Sequence, residues 1–583
     1  MDRMKKAAAC LLAAFLCLVS VSGCKPSSNP GSSDKSEEPG PAPAESGTGE
    51  PGEITVGDPT FYPVIYNSDT THIYQNVSPY HKALHDPLTP EMFDAAVKEA
   101  ADAGANCFEI TPGHCWVPWW PSEAFPVAEH ARWFINDFKG TMVSNPFYDY
   151  VFKAPNSLPY HNYRDFIQEQ IESCRKYGMG AFINFRLNDA HMIMKTTPDL
   201  ANIAFASPLY IEHPEYAIGE IQGYKDKYVY VLDWRHKEVR DNRLTMIKEL
   251  IANYEIDGFE LDFMRRFCFF NTDKCTKEER VSIMTEFLRE VRGALDEASA
   301  KDGRYRYLSV RIPAYTDTYG DMGIDIKAWQ EAGVGIFNLA SSYFVDQDTD
   351  IRTVKETVGN DALVYMELTH TTACGYENGE KGNQTRIHRR TTPEQFYTSA
   401  LLGYAQGADG ISLFNFQYYR GDRMGTGDAP LTEPPFDVIQ HLGDKNYLKQ
   451  APQHYFYGET WCDPVKSGWQ LPRTMMTGLS TEFDMELVRP DGGWTQDGVY
   501  RLKANEAFTN QQYTVTINGT KLQEIADAGE PYPNDYTQLL GTAAQRKSYR
   551  VPRSILKEGT NTITVEQTAG SRIVLGFVDL AVR

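Results

Sequence analysis

The feature that most constrains the fold of this chain is an alternation. From about residue 60, short apolar runs of strand character recur between helical patterns. The runs are FYPVIYNS (61–68), ANCFEIT (105–111), GAFINFRLN (180–188), DGFELDF (257–263), YLSVRIPA (307–314), VGIFNLASS (334–342), ALVYMELTH (362–370) and DGISLFNF (409–416). Such alternation implies a parallel sheet covered by helices. The helical segments carry their own punctuation. TPEMFDAAVKEAADAG opens on Thr89 as a cap, follows with Pro90 and ends on Gly104. EVRDNRLTMIKELIANY sets Leu244, Ile247, Leu250, Ile251 and Tyr254 on one face. Eight strand–helix units in one domain close most simply into a (β/α)8 barrel. An open doubly wound sheet is the alternative. It wants a Gly-rich phosphate loop after its first strand, and FYPVIYNSDTTH contains no glycine.

The pattern changes on both sides of the barrel, which is expected over residues 55–452. After it, YTVTINGTKL is an alternating strand, an Asn518–Gly519 turn and a second strand. SYRVPRSILKEGTNTITVEQ and RIVLGFVDLAVR continue in the same style, so 453–583 reads as an all-β sandwich. Before it, Arg3, Lys5 and Lys6 precede the apolar run AAACLLAAFLCLVSV and then VSGC. This order resembles a bacterial lipoprotein signal over 1–23, with Cys24 as the lipidated residue. Residues 24–54 are rich in Pro, Gly, Ser and Glu and read as a flexible tether. The implied location is the cell envelope, outside the cytoplasm, with membrane contact through the lipid alone.

A formal net charge of -21 argues against a nucleic-acid partner, which would want a basic patch. No HExxH, Walker loop or GxSxG is present, and no metal or other cofactor is expected. Cys268 with Cys275, or Cys107 with Cys115, could close small loops; free buried thiols are an equal reading.

Chemistry is suggested by YEIDGFELDFMRRF, where Glu260 and Asp262 interrupt a buried strand. Alternate side chains of a barrel strand face the helices and the lumen. With Phe259, Leu261 and Phe263 toward the helices, Glu260 and Asp262 point inward. An unpaired carboxylate in a core is costly, but active sites of this architecture lie at the carboxyl ends of the strands. The seventh run repeats the pattern, with Glu367 inward among Val364, Met366 and Leu368. Glycoside hydrolysis needs such a pair, one acid and one base or nucleophile. Asp262 and Glu367 are the expected catalytic residues, with Glu260 as a tuning or substitute partner. A structural ion pair with Arg186, Arg265 or Arg311 is the competing reading.

Candidate substrate contacts are Glu109 on the second run, Asn184, Arg186 and Asn188 on the third, Arg311 on the fifth and Asn415 after the eighth. Asp233 and Trp234 precede the fourth. Each could equally support a neighbour or pack a loop. HCWVPWWPSEAFPVAEHARWF carries Trp116, Trp119, Trp120 and Trp133. The first three are expected as a platform for sugar rings and Trp133 as packing; a loop core is the alternative for all.

YVYVLDWRHKEVRDNRLTMIKELIANYEIDGFELDFMR resembles the core of bacterial glycosyl-hydrolase-like (family-10-like) barrel proteins. The likeness rests on Leu232–Asp233, Glu238 to Asp241 and Asp257 to Asp262, and extends to LSVRIPA, GADGISLFNF and EPPFDVIQHLGD. The better-known members carry His-x-Asp-Asp where this chain has Glu-x-Asp-Phe. YRVPRSILKEGTNTITV resembles galactose-binding-like jelly rolls. The resemblance implies a glycoside-hydrolase-like barrel; with the lipoprotein-like signal and the acidic net charge, the expectation is a surface-anchored glycoside hydrolase acting on a neutral or weakly charged oligo- or polysaccharide. The rivals are a non-catalytic glycan-binding lipoprotein and an amidase acting on cell-wall material.

Overall fold

The computed structural model describes residues 55–583 except 71, 74–86, 114–115, 142–145, 154–160, 191–196, 199–201, 223–229, 375, 378–379, 382–387, 421–432, 461–469 and 535–540. The expected signal, Cys24, the tether and Cys115 lie outside the described residues.

Eight parallel strands close into a barrel in sequential order. They are β1 (Val64–Ser68), β2 (Cys107–Ile110), β3 (Gly180–Arg186), β4 (Gly258–Asp262), β5 (Tyr307–Pro313), β6 (Ile336–Ala340), β7 (Leu363–Thr369) and β8 (Gly410–Phe414). All eight lie within the runs that the sequence marks. Closure excludes the open doubly wound sheet.

The helices begin where their sequences say. In α1 (Pro90–Asp102), Pro90 occupies the first turn after an extended Thr89, and Gly104 follows at φ 99°. α4 (Lys237–Asn253), which leads into β4, buries Val239, Leu244, Ile247, Leu250 and Ile251 against the sheet. α5 (Lys277–Asp302) opens on a reciprocal Thr276–Glu279 capping box and ends at Gly303 in the left-handed region. α2 (Val127–Asn136) and α3 (Phe166–Lys176) lie between β2 and β3.

The lumen is filled in layers, as the pleat requires. The lowest layer is apolar: Ile65, Cys107, Phe182, Tyr307, Ile336 and Tyr365 pack together. Its two gaps are Gly258 and Gly410. A Cβ there would stand 2.5 Å from the Phe182 ring and 2.4 Å from the Tyr365 ring. The middle layer is polar and the upper layer charged. Outside the strands, Phe259, Leu261 and Phe263 face the helices, and Phe263 packs on Phe269 and Trp329.

After the barrel, β9 (Gln453–Gly458) starts two packed antiparallel sheets. The further strands are β10 (Arg473–Met475), β11 (Ser480–Leu487), β12 (Gly498–Ala504), β13 (Gln512–Ile517), β14 (Thr520–Lys521), β15 (Gln523–Ile525), β16 (Arg546–Val551), β17 (Gly559–Ala569) and β18 (Ile573–Val582). One sheet runs β9–β18–β12–β16–β15, with β10 also on β18; the other runs β11–β17–β13–β14. Asn518 and Gly519 both take positive φ in the turn between β13 and β14, which suits the right-handed twist of the hairpin.

Barrel and sandwich form one compact unit. Their junction includes buried polar contacts. Gln347 Nε2 donates to Ser399 Oγ at 3.0 Å, and Gln347 Oε1 accepts from Phe456 N at 2.9 Å. Arg389, on the hairpin after β7, donates to Glu530 of the sandwich at 2.6 Å. Lys503 also reaches Glu530 at 2.7 Å, and Arg501 binds Asp579 through Nε at 2.8 Å. Burial works to raise the Glu530 carboxyl, yet Arg389, Lys503 and Arg501 together pull it down to about 2.

Gly258→Ala should force Phe182 from its place in the lowest layer and lower stability by about 1–3 kcal/mol. Urea unfolding checks this: the midpoint should fall at constant slope. An unchanged midpoint would mean that the layer is loosely packed.

Candidate active site

Strand register builds the site. Asn184 pairs across to Glu260, Arg186 to Asp262, and Asp262 to Arg311. Residues at the same height on neighbouring parallel strands therefore meet inside the barrel, and two rings of polar groups result.

The middle ring centres on Glu260. Its Oε1 accepts from Asn184 Nδ2 at 2.7 Å, and its Oε2 accepts from Ser309 Oγ at 2.9 Å and from Asn338 Nδ2 at 3.1 Å. Asn338 Oδ1 in turn accepts from Ser412 Oγ at 2.6 Å. Glu109 takes one amide proton from Asn67 at 2.8 Å, and its other oxygen is buried without a hydrogen-bond partner. Burial raises the Glu109 carboxyl far above its usual range, and the neighbouring Glu260 raises it further. Glu109 thus lies beside a Glu260 that is bonded to amides and a hydroxyl. Burial also raises Glu260, against the opposing field of Arg311.

The upper ring centres on Arg311, which is 1% exposed. Its Nη1 donates to both oxygens of Asp262 at 3.1 Å. Its other edge is bidentate to Glu367, with Nε to Oε2 at 2.5 Å and Nη2 to Oε1 at 2.7 Å. Both carboxyl groups face the lumen and lie one guanidinium apart. Asp262 also accepts from Met264 N at 2.7 Å, while the Phe414 ring covers the guanidinium at 3.8 Å. Phe414 thus takes the lumen position and Phe416 packs outside on Phe396 and Phe436.

Arg311 faces Asp262 and Glu367, with Glu260 nearby, and Arg186 also acts on Asp262. Burial pushes Glu367 up; Arg311 opposes this; Glu260 and Asp262 add to it; the result is a carboxyl at about 7. Beside this clamp a second set forms. Arg186 donates to Asp69 at 2.7 Å and approaches Asp189 at 3.6 Å.

A rim rises over the end of β7. Arg390 donates to His370 Nδ1, to Thr371 Oγ1 at 3.2 Å and to the Tyr418 carbonyl at 2.7 Å. His72 stands edge-on to Tyr418, with centroids 4.1 Å apart, and pairs with Gln417 at 3.3 Å. The Arg390 carbonyl accepts from Asn534 of the sandwich at 3.0 Å.

Asp262, Glu367, Glu260, Glu109, Asn184, Arg186 and Arg311 are thus brought together in the lumen. Asn415 sits at its edge in the left-handed region, φ 54°, with Oδ1 buried and unpartnered. Other candidates are elsewhere. Asn188 donates to the carbonyls of Leu232 at 3.2 Å and Cys268 at 2.7 Å, stapling two loops. Asp233 is spent on Arg235, by 2.9 and 2.7 Å bonds, and Trp234 is sealed against Phe269 and Phe287. Trp116, Trp119 and Trp120 form the core of the loop after β2. Their indole N–H groups donate to Asp189 O, Ala204 O and Glu249 Oε2 at 3.0, 3.2 and 3.0 Å. All three are at most 3% exposed, because a long loop needs its own apolar centre. Cys107, Cys268 and Cys275 are free buried thiols.

Asn67, Asp69, Ser309, Asn338 and Ser412 belong to the site without having been anticipated. The two-residue period that marks Glu260 and Asp262 as inward also marks them. His370 and Arg390 carry no such signal, since the hairpin after β7 places them. Among the described residues, no group of three or more His, Cys, Asp or Glu side chains is arranged to hold a metal ion.

No family model matches the chain. No curated protein matches it either. Solved structures give distant likenesses. An Anoxybacillus α-amylase is 11% identical, with TM-score 0.36 over 88% of this chain and 97% of that chain. A Lactobacillus plantarum α-amylase is 12% identical, with TM-score 0.35 over 88% and 98%. A cycloisomaltooligosaccharide glucanotransferase of Paenibacillus sp. is 12% identical, with TM-score 0.29 over 88% of this chain but only 57% of its own length. Likeness at this level carries no inference about chemistry, which rests on the side chains above.

Arg311→Met should remove the shared partner of two buried carboxyl groups, Asp262 and Glu367, and cost about 3–5 kcal/mol. A carboxyl with a raised folded pKa loses stability as pH climbs through that value, so the loss should be greater at about pH 8 than at about pH 5. Urea unfolding at both pH values measures it. Equal losses would mean that the clamp does not control these protons.

Proposed function

We propose that the chain is a glycoside hydrolase acting on a neutral or weakly charged glycan, with Glu367 as the proton donor and Asp262 as the opposing carboxylate. The observation that carries this is the pairing of Asp262 and Glu367, from β4 and β7, on the two edges of the Arg311 guanidinium at the carboxyl ends of the strands. Glycosidic cleavage needs one carboxyl that holds a proton near neutrality and one that stays ionised. Glu367, pushed to about 7, fits the first role. Asp262, bonded to Arg311 and to a backbone N–H, fits the second. Glu260 and Glu109 lie one layer lower and tune the field without reaching the reacting bond. Lipidation at Cys24 would hold the enzyme at the cell envelope.

A second reading has its own support. Both carboxylates are ion-paired and almost wholly buried, as structural groups are. A glycan-binding lipoprotein that captures ligand for other enzymes would use the same mouth without turnover.

Incubation with a polysaccharide panel separates the two by the presence or absence of released product. For the hydrolase, Asp262→Asn and Glu367→Gln should each lower kcat by a factor of about 1,000 or more while the melting transition persists. Full activity in both variants on a glycan that the parent cleaves would overturn the assignment.

The donor must be protonated, so kcat should fall as pH rises through about 7. A pH–rate profile that stays flat from about 6 to 9 would remove Glu367 from the donor role.

A further inference from the structure

A second concavity lies on the shoulder of the barrel, outside the lumen. Its volume is about 450 Å³, within the roughly 300–1,000 Å³ range of small-molecule sites. It is walled by the loop after β2, by α2, by residues 207–213 and by the first turns of α4.

The wall is apolar and fixed. Trp133 stacks on Phe138, with centroids 5.4 Å apart and planes 9° apart, and lies against His130 at 5.6 Å. Its indole N–H donates to Glu212 Oε1 at 2.6 Å. Phe125, Pro208 and Leu209 continue the apolar surface. Such a wall loses little freedom on binding.

Most of the polar groups offer acceptors, although Ser207 and His213, the latter paired with Glu215 at 2.9 Å, also line the cavity. Glu129 and Glu212 line the cavity as carboxylates. Asn242 contributes a buried Oδ1 that accepts no hydrogen bond. His130 Nε2 donates to the Ile203 carbonyl at 2.7 Å, which leaves Nδ1 of the neutral ring as an acceptor. No Lys or Arg occurs among the described residues that line the cavity. A ligand here must bring several donors and an apolar face, and it must not be anionic. Sulfates, phosphates and uronic acids are disfavoured.

A pyranose unit meets these terms, with hydroxyls around its edge and C–H groups on its face. We propose that this cavity is a binding site for an uncharged sugar residue of a glycan, separate from the lumen carboxylates. The choice of a glycan over another polyol rests on the hydrolase proposal. Position agrees with it. Trp116 lines the cavity, and its N–H donates to the carbonyl of Asp189, whose carboxyl faces Arg186 in the lumen.

The test uses the full chain labelled with 5-fluorotryptophan, the Trp133 signal being assigned through Trp133→Phe. Maltohexaose, cellohexaose, xylohexaose and mannohexaose are titrated separately, alongside hexagalacturonate and spermidine. The expected result is that at least one neutral hexasaccharide shifts the Trp133 signal, and that Leu209→Arg or Glu212→Gln weakens its affinity about tenfold or more. The shift should persist in Glu367→Gln, because the lumen is not used. Three results would overturn the proposal: no neutral hexasaccharide moves the signal, only hexagalacturonate or spermidine does, or both cavity variants bind like the parent with their melting transitions intact. Product release without a Trp133 shift defeats the cavity and leaves the hydrolase; a shift without product does the reverse.

Discussion

The lumen depends on one shared cation. Arg311 is a buried guanidinium whose two edges are committed to carboxylates from different strands, β4 and β7. A carboxylate alone at this depth would be too costly to keep ionised, and a guanidinium alone would be equally so. The planar fork serves two partners where an ammonium would serve one as a point charge. Phe414 lies over its face and closes off solvent. Strands on different sides of the barrel are thereby tied through a single side chain, and the geometry of both acids follows from its position.

The rest of the lumen can be understood as a response to scarcity of positive charge. Glu109 and Glu260 sit below the clamp with only amides and hydroxyls as partners. Burial and the neighbouring Glu260 both push the Glu109 carboxyl up. Above, Arg186 donates to Asp69 and approaches Asp189. Arg311, Asp262 and Glu367 thus occupy the upper layer, Glu260 and Glu109 with their amide and hydroxyl partners the next, and a mainly apolar set the floor.

The barrel was legible because period and punctuation agree. Eight runs of the right length, separated by helical segments, leave few arrangements, and Thr89 falls where a helix begins. The inward acids were legible for the same reason, since a two-residue alternation fixes which side chains leave the core face. What the sequence could not show was contact between distant loops. Asn188 looks like a mouth residue because it follows β3; its amide meets carbonyls 44 and 80 residues away. Trp119 and Trp120 carry the composition of a sugar platform, yet their loop folds them into its own centre. Trp133, which reads as packing, lines an open cavity. Aromatic content marks the loop as important without saying which rings turn outward.

Two consecutive arginines on the hairpin after β7 look in opposite directions. Arg389 reaches into the sandwich at Glu530, and Arg390 holds His370 and the Tyr418 carbonyl over the barrel, its own carbonyl caught by Asn534. The C-terminal sheets are therefore not cargo on a leash. A descendant that traded them for an unrelated appendage would inherit the barrel but not the seating of its rim, so recombination at this boundary is constrained by chemistry that begins two residues inside the first domain's own loop.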